Sequence, residues 1–222
     1  MAIHMAASAY PTVFPSDLET LVLHIYNDLN ESNAAFICPS LPCGLRELKY
    51  ESDFDIFPEL PESLKVLEIK INSNSHIPLT LPTLPDGLEI LIIDDVFIKE
   101  LPHSLPSSLK ILKCSNTGLR RLPALPRGLQ ELRCDSTCLT YLPVLPSTLK
   151  YLNCSECHLT SLPPLPSTLE HLTCIGCSLE YLPRLPASLK TLTCVFNNIK
   201  KFPDYPPNLD VCDDNTQKLY MN

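Results

Sequence analysis

The cysteines of this 222-residue chain are the side chains whose type and spacing could do chemistry. There are 11, and Cys154-x-x-Cys157 followed by Cys174-x-x-Cys177 has the two-pair spacing of a structural zinc site. A wider view gives a simpler origin. Cys114, Cys134, Cys154, Cys174 and Cys194 recur every 20 residues, and Ile69 and Ile93 hold the same place in earlier units. A position shared with isoleucine is a core packing position. Cys157 and Cys177 fall in register with Thr117, Thr137 and Asn197, where a polar side chain can turn inward and satisfy backbone groups as a strand ends. Five ladder thiols within an odd total do not pair evenly into disulfides. The expectation is reduced thiols in a reducing, intracellular and cytoplasmic setting, with no metal and no cofactor.

Other chemistry has less to stand on. None of the six histidines has H-x-x-x-H spacing, and five glycines could scarcely build a phosphate-binding loop. Asp94-Asp95 and Asp213-Asp214 read as solvated pairs, and nothing makes two carboxylates face each other across a cleft. The sequence predicts no catalytic residue and no enzyme.

The elements that position the cysteines come from a repeat. From Leu109 the chain reads LKILKCSNTGLRRLPALPRG, LQELRCDSTCLTYLPVLPST, LKYLNCSECHLTSLPPLPST, LEHLTCIGCSLEYLPRLPAS and LKTLTCVFNNIKKFPDYPPN. The shared pattern is LxxLxCxxxxLxxLPxLPxx, and its first leucine recurs at Leu109, Leu129, Leu149, Leu169, Leu189 and Leu209. Looser copies begin at Leu88, Leu64 and Leu45. In the strand part, apolar residues alternate with polar ones, the period of a short half-buried strand. The LxxLPxLP part returns the chain as an extended, polyproline-like arm, because proline keeps the residue before it out of the helical region. Gly44, Gly87 and Gly128 stand just before a first leucine, where the expectation is a turn in need of permissive backbone.

One unit cannot bury its own leucines, but stacked units share a continuous core. The predicted fold is therefore a leucine-rich-repeat solenoid of about nine or ten repeats, with short parallel β-strands on a concave face and extended convex arms. Residues 1–17 are an N-terminal segment or cap, 18–208 the array (most regular over 109–208), and 209–222 a partial repeat or cap. Residues 16–31 leave two readings open. Ser16 and Glu19 resemble a helix capping box, whereas Leu18, Leu21 and Leu23 after Phe14-Pro15 repeat the phase of a strand-containing unit.

Composition agrees with such a stack. The 23 prolines would be ruinous in helices or central strands but suit irregular arms. No window approaches the length of a membrane-spanning helix. The net charge of -8 is uneven: residues 1–100 carry 5 basic and 16 acidic side chains, whereas 101–200 carry 10 and 5. The middle could attract an acidic protein surface.

The concave columns follow from the alternation. The candidate protein-binding residues are Ile111, Lys113, Glu131, Arg133, Tyr151, Asn153, His171 and Thr173, with Ile175 also outward. Arginine and tyrosine beside aliphatic surface suit a protein partner. Lys110, Lys150 and Lys190 add positive charge at the strand entries. Nucleic acid is a weaker reading, because stacking aromatics are few. Self-association through the repeat ends is the structural alternative, since edge strands can pair chain on chain.

The unit resembles the short bacterial-type leucine-rich repeat, typically worded LxxLxVxxNxLTxLPxLPxx. Leu149, Leu152, Leu159, Leu162 and Leu165 match its leucines, Cys154 takes the place of its Val and Cys157 that of its Asn. The likeness covers residues 81–209 well and 41–80 loosely. It implies kinship with the repeat domains of effectors that bacteria inject into host cells, and with repeat proteins of amoeba-associated organisms and large DNA viruses. In the effectors such repeats recruit substrates. Many also carry a ubiquitin-ligase domain with a catalytic Cys-x-Asp. Cys212-Asp213-Asp214 has that wording, but its place three residues after Leu209 marks Cys212 as a core position, and no ligase activity is expected.

Overall fold

The computed structural model describes residues 2–6, 14–26, 40–53, 57–71, 79–207 and 209–212. Eleven strands lie among them: β1 (Ala2–Ala6), β2 (Thr20–Tyr26), β3 (Glu47–Ser52), β4 (Val66–Ile71), β5 (Ile90–Ile92), β6 (Ile111–Lys113), β7 (Glu131–Arg133), β8 (Tyr151–Asn153), β9 (His171–Thr173), β10 (Thr191–Thr193) and β11 (Asp210–Cys212). They form one parallel sheet in chain order. Parallel neighbours need a crossover, and here each arm supplies it without an α-helix among the described residues. The fold is a leucine-rich-repeat solenoid.

Register follows the leucines. Leu21, Leu48, Leu67, Leu91, Leu112, Leu132, Leu152, Leu172 and Leu192 are cross-strand partners in succession. None of them is more than 1% exposed. The next inward column passes through Ile93 and then all five ladder cysteines, each 0% exposed. Full burial of one leucine contributes roughly 1.5–3 kcal/mol. The core is thus a row of equivalent contributions from every coil.

Residues 16–31 resolve toward the strand. β2 pairs with β3, and Leu21, Leu23 and Ile25 are buried on the inward side. A helix there would need contacts of period 3.6, but the neighbouring coil offers a sheet edge. Glu19 serves that edge with its backbone: its carbonyl accepts the N–H groups of Arg46 and Glu47. Residues 27–31 lie outside the described part. β1 pairs with β2 and adds a strand within the segment left open as a segment or cap.

Each arm closes in a turn built on proline. The carbonyls of Pro106, Pro126, Pro146, Pro166 and Pro186 each accept the N–H of the leucine three residues later, at 3.1 Å. Proline lacks a donor but keeps its acceptor. Glycine freedom is not what the turn needs. Gly44, Gly87 and Gly128 are not among the positive-φ residues. Their place is held in other coils by Ser63, Ser108, Thr148, Thr168 and Ser188, whose hydroxyls donate to carbonyls of the preceding coil. Thr148 Oγ1, for example, reaches Arg127 O and Leu129 O, each at 2.8 Å.

Positive φ falls elsewhere, just after the strands, at Asp95, Asn116, Ser136, Glu156, Gly176 and Phe196. The left-handed backbone there re-aims the chain into the arm in each of these coils, although only one of the six residues is glycine.

The last coil corrects one expectation. Leu192 pairs with Val211, 19 residues on, and Thr193 pairs with Cys212. A slip of one residue moves a side chain to the opposite face. Val211 therefore packs against the core while Cys212 is exposed. Cys212 is not a core position. Asp213 and Asp214 lie outside the described residues.

Candidate protein-binding face

The eight residues singled out from the sequence lie on β6 to β9 in two adjacent columns. Ile111, Glu131, Tyr151 and His171 are successive cross-strand partners, and so are Lys113, Arg133, Asn153 and Thr173. All are half-buried, because strands roughly 4.8 Å apart cover one another's flanks. Ile111 and Ile175, outward in the sequence pattern, are likewise half-buried.

A chain of contacts links the columns across the coils. Arg133 Nε donates to Glu131 Oε1 at 2.7 Å, and Lys113 Nζ lies 3.8 Å from that same oxygen. The Arg133 guanidinium stands 4.9 Å from the centre of the Tyr151 ring. Tyr151 in turn meets the His171 ring, centroids 5.7 Å apart, and His171 Nδ1 is 2.8 Å from Thr191 Oγ1. Glu131 thus stands between two cations, and Asp135 adds a second negative charge near Arg133.

Beside it runs a polar row. Ser115 Oγ and Asn153 Nδ2 donate to Asp135 Oδ1 at 2.7 and 2.8 Å, and Ser155 Oγ donates to Asn153 Oδ1 at 2.8 Å. Asp94 Oδ1 accepts the Ser115 N–H at 2.7 Å. Burial raises the Asp94 carboxyl above its ordinary range; the Ser115 hydrogen bond opposes this, and the nearby Asp135 and Asp95 charges add to it. These contacts hold the side chains in place before any partner arrives, which reduces the ordering cost of association.

The cysteines are occupied inside the wall. Burial pushes the thiols of Cys134, Cys154 and Cys174 well up from their ordinary value, so the thiolate that zinc requires is disfavoured. Cys177 is pushed up to about 11 by burial. Cys157 Sγ donates to Cys134 O and Cys177 Sγ to Cys154 O, both at 3.2 Å. Thr117 and Thr137 bond their own coils at this position, to Cys114 O and Cys134 O at 2.9 Å. Asn197 Nδ2 spans two coils, reaching Cys174 O at 2.7 Å and Cys194 O at 3.0 Å. Among the described residues, no group of three or more His, Cys, Asp or Glu converges to hold a metal ion, and no helix is long and apolar enough to cross a membrane.

Two features escaped the sequence reading. The hydroxyl ladder before the first leucine is one. The other is a set of ion pairs between coils: Lys110 with Glu89 at 2.5 Å, Lys200 with Glu180 at 3.0 Å, and Lys190 with Glu170. The Lys110 and Lys190 pairs neutralise part of the positive rail expected at the strand entries. Opposite charges one period apart were the available signal.

Known structures share this architecture. YopM of Yersinia enterocolitica is 26% identical with a TM-score of 0.55, and the match covers 91% of this chain and 61% of that one. The present chain thus spans about three-fifths of that protein's length. YopM of Yersinia pestis, described as a leucine-rich effector protein, is 23% identical at a TM-score of 0.53, over 90% of this chain and 78% of that one. A chain from an octameric complex of Latrophilin 3, Unc5D and the leucine-rich repeats of FLRT2 is 19% identical at 0.51, over 92% and 86%. No protein-family model matches the sequence, and neither does any curated protein. The chain is a leucine-rich-repeat solenoid resembling the repeat domains of bacterial effectors, a fold typical of protein-binding scaffolds.

Proposed function

We propose that this chain is a non-enzymatic scaffold that receives a partner protein on its concave face, around Ile111, Lys113, Glu131, Arg133, Tyr151, Asn153, His171 and Thr173. The observation that carries this reading is the linked seating of Arg133 between Glu131 and Tyr151. Arginine and tyrosine are the residues most often found to dominate binding energy, especially when packed centrally. Ile111 supplies aliphatic contact beside them. The buried ladder thiols Cys114, Cys134, Cys154 and Cys174, none in a disulfide among the described residues, support work in a reducing cell interior. The effector resemblance supports recruitment of another protein as the task.

Affinity capture from a cell lysate tests the reading, with a folded Arg133→Ala/Tyr151→Ala variant as control. A protein retained by the native chain and lost with the variant is the expected result. Identical sets of captured proteins would overturn the assignment to this face.

A further inference from the structure

The arms depart most from the 20-residue period ahead of the regular coils. The unit from Leu64 to Gly87 has 24 residues and that from Leu88 to Ser108 has 21, with an arm reading LPHSLP in place of LPxLP. From these arms onward the surface opens into adjoining hollows. One, of about 460 Å³, is lined by Lys99, Glu100, Arg120, Arg121 and Tyr141. Another of about 270 Å³ has Leu79, Leu101 and His103 in its walls, and a third of about 200 Å³ lies between Glu100 and Pro123. Glu100 borders all three, so they join as one furrow.

The furrow is cationic in a chain of net charge -8. Glu100 neutralises Arg121 at 2.9 Å. Lys99 instead rests 5.5 Å from the centre of the Phe97 ring, and neither it nor Arg120 has an ion pair among the described residues. Tyr141 and Phe97 are 55% and 45% exposed beside these charges. Unneutralised cations, exposed rings and an apolar recess next to one another form a surface complementary to an acidic, partly apolar segment.

We propose that this furrow is a second docking surface, separate from the concave face, for an extended acidic segment of a partner protein. Carboxylates of the segment meet Lys99 and Arg120, and an apolar side chain enters the recess between Leu79 and Leu101. Screening confines each charge to roughly 8 Å at physiological salt, so a short acidic peptide responds to the local cations. A nucleic-acid strand extends past them into the field of a net-negative chain.

Fluorescence anisotropy with a labelled Asp/Glu-rich peptide of about a dozen residues carrying one leucine tests this on the full chain. The expected result is salt-sensitive binding, about five- to tenfold weaker for Lys99→Glu/Arg120→Glu and unchanged for Arg133→Ala/Tyr151→Ala. If the charge-reversed variant does not melt cooperatively, Lys99→Gln/Arg120→Gln takes its place with the same expectation. Absence of binding, equal binding by native and variant chains, or tighter binding of single-stranded RNA would overturn the proposal. So would a dimer, seen by mass in solution, that the same variant dissolves, since the occupant would then be a second copy.

Discussion

The Arg133 guanidinium sits over the Tyr151 ring at 4.9 Å, so a cation from one coil is seated by an aromatic ring from the next. Directly behind Tyr151 in sequence, Leu152 is 0% exposed in the core. Neighbours in the chain therefore serve opposite sides of the same wall.

That division predicts unequal costs. Leu152→Ala leaves a cavity that its close-packed neighbours cannot fill, and should destabilise the fold by about 2–5 kcal/mol. Tyr151→Ala should stay within about 1 kcal/mol, since it removes a partly solvated contact. Denaturant titration of both variants measures the difference, and equal losses would contradict the assigned faces.

Thiol accessibility should divide the cysteines by position. Cys43, Cys138 and Cys212 are exposed, whereas the ladder cysteines are buried, with the thiols of Cys134, Cys154 and Cys174 shifted up by burial. In the native protein near neutral pH, a bulky thiol reagent should modify the first group fast and the ladder only when the fold opens. Peptide mapping after timed labelling reads this out; fast labelling of Cys134 or Cys154 would remove the core assignment.

The left-handed positions offer a stabilising change. Glu156 holds φ at 52°, where Gly176 occupies the equivalent place one coil later. Glu156→Gly should relieve a strain of about 1 kcal/mol, less the loss of an exposed 3.0 Å hydrogen bond from Ser136 Oγ. Thermal unfolding should show an unchanged or higher midpoint. A marked drop would show that the side chain contributes more than the strain removes.

Asp94 should make stability depend on pH with an unusual sign. Its folded-state pKa is raised above the ordinary 3.8, chiefly by burial, so the folded protein holds this proton more tightly than the unfolded chain does. The Asp94 contribution is then present below the ordinary value and lost as pH rises through the raised one. Asp94→Asn keeps an oxygen acceptor for the Ser115 N–H and should be more stable than the native chain at neutral pH, with the advantage shrinking as pH falls through the carboxylate range. Denaturant midpoints at a series of pH values test it, and an advantage that grows on acidification would reverse the assignment.

The period of the sequence by itself determined the solenoid, the strand face, the inward column from Leu112 to Leu192 and the packing role of the ladder cysteines. A repeat constrains each coil identically, and alternation assigns every strand side chain to core or surface. Identical constraints cannot describe what differs between coils. That Val211 rather than Cys212 follows Leu192 depends on the path of a single shortened connection. The Arg133–Tyr151 seat depends on which way two long side chains lean. The furrow at Lys99 and Arg120 depends on how neighbouring arms stack. Those are relations between neighbouring coils, set by packing in three dimensions, and only the tertiary structure decided them.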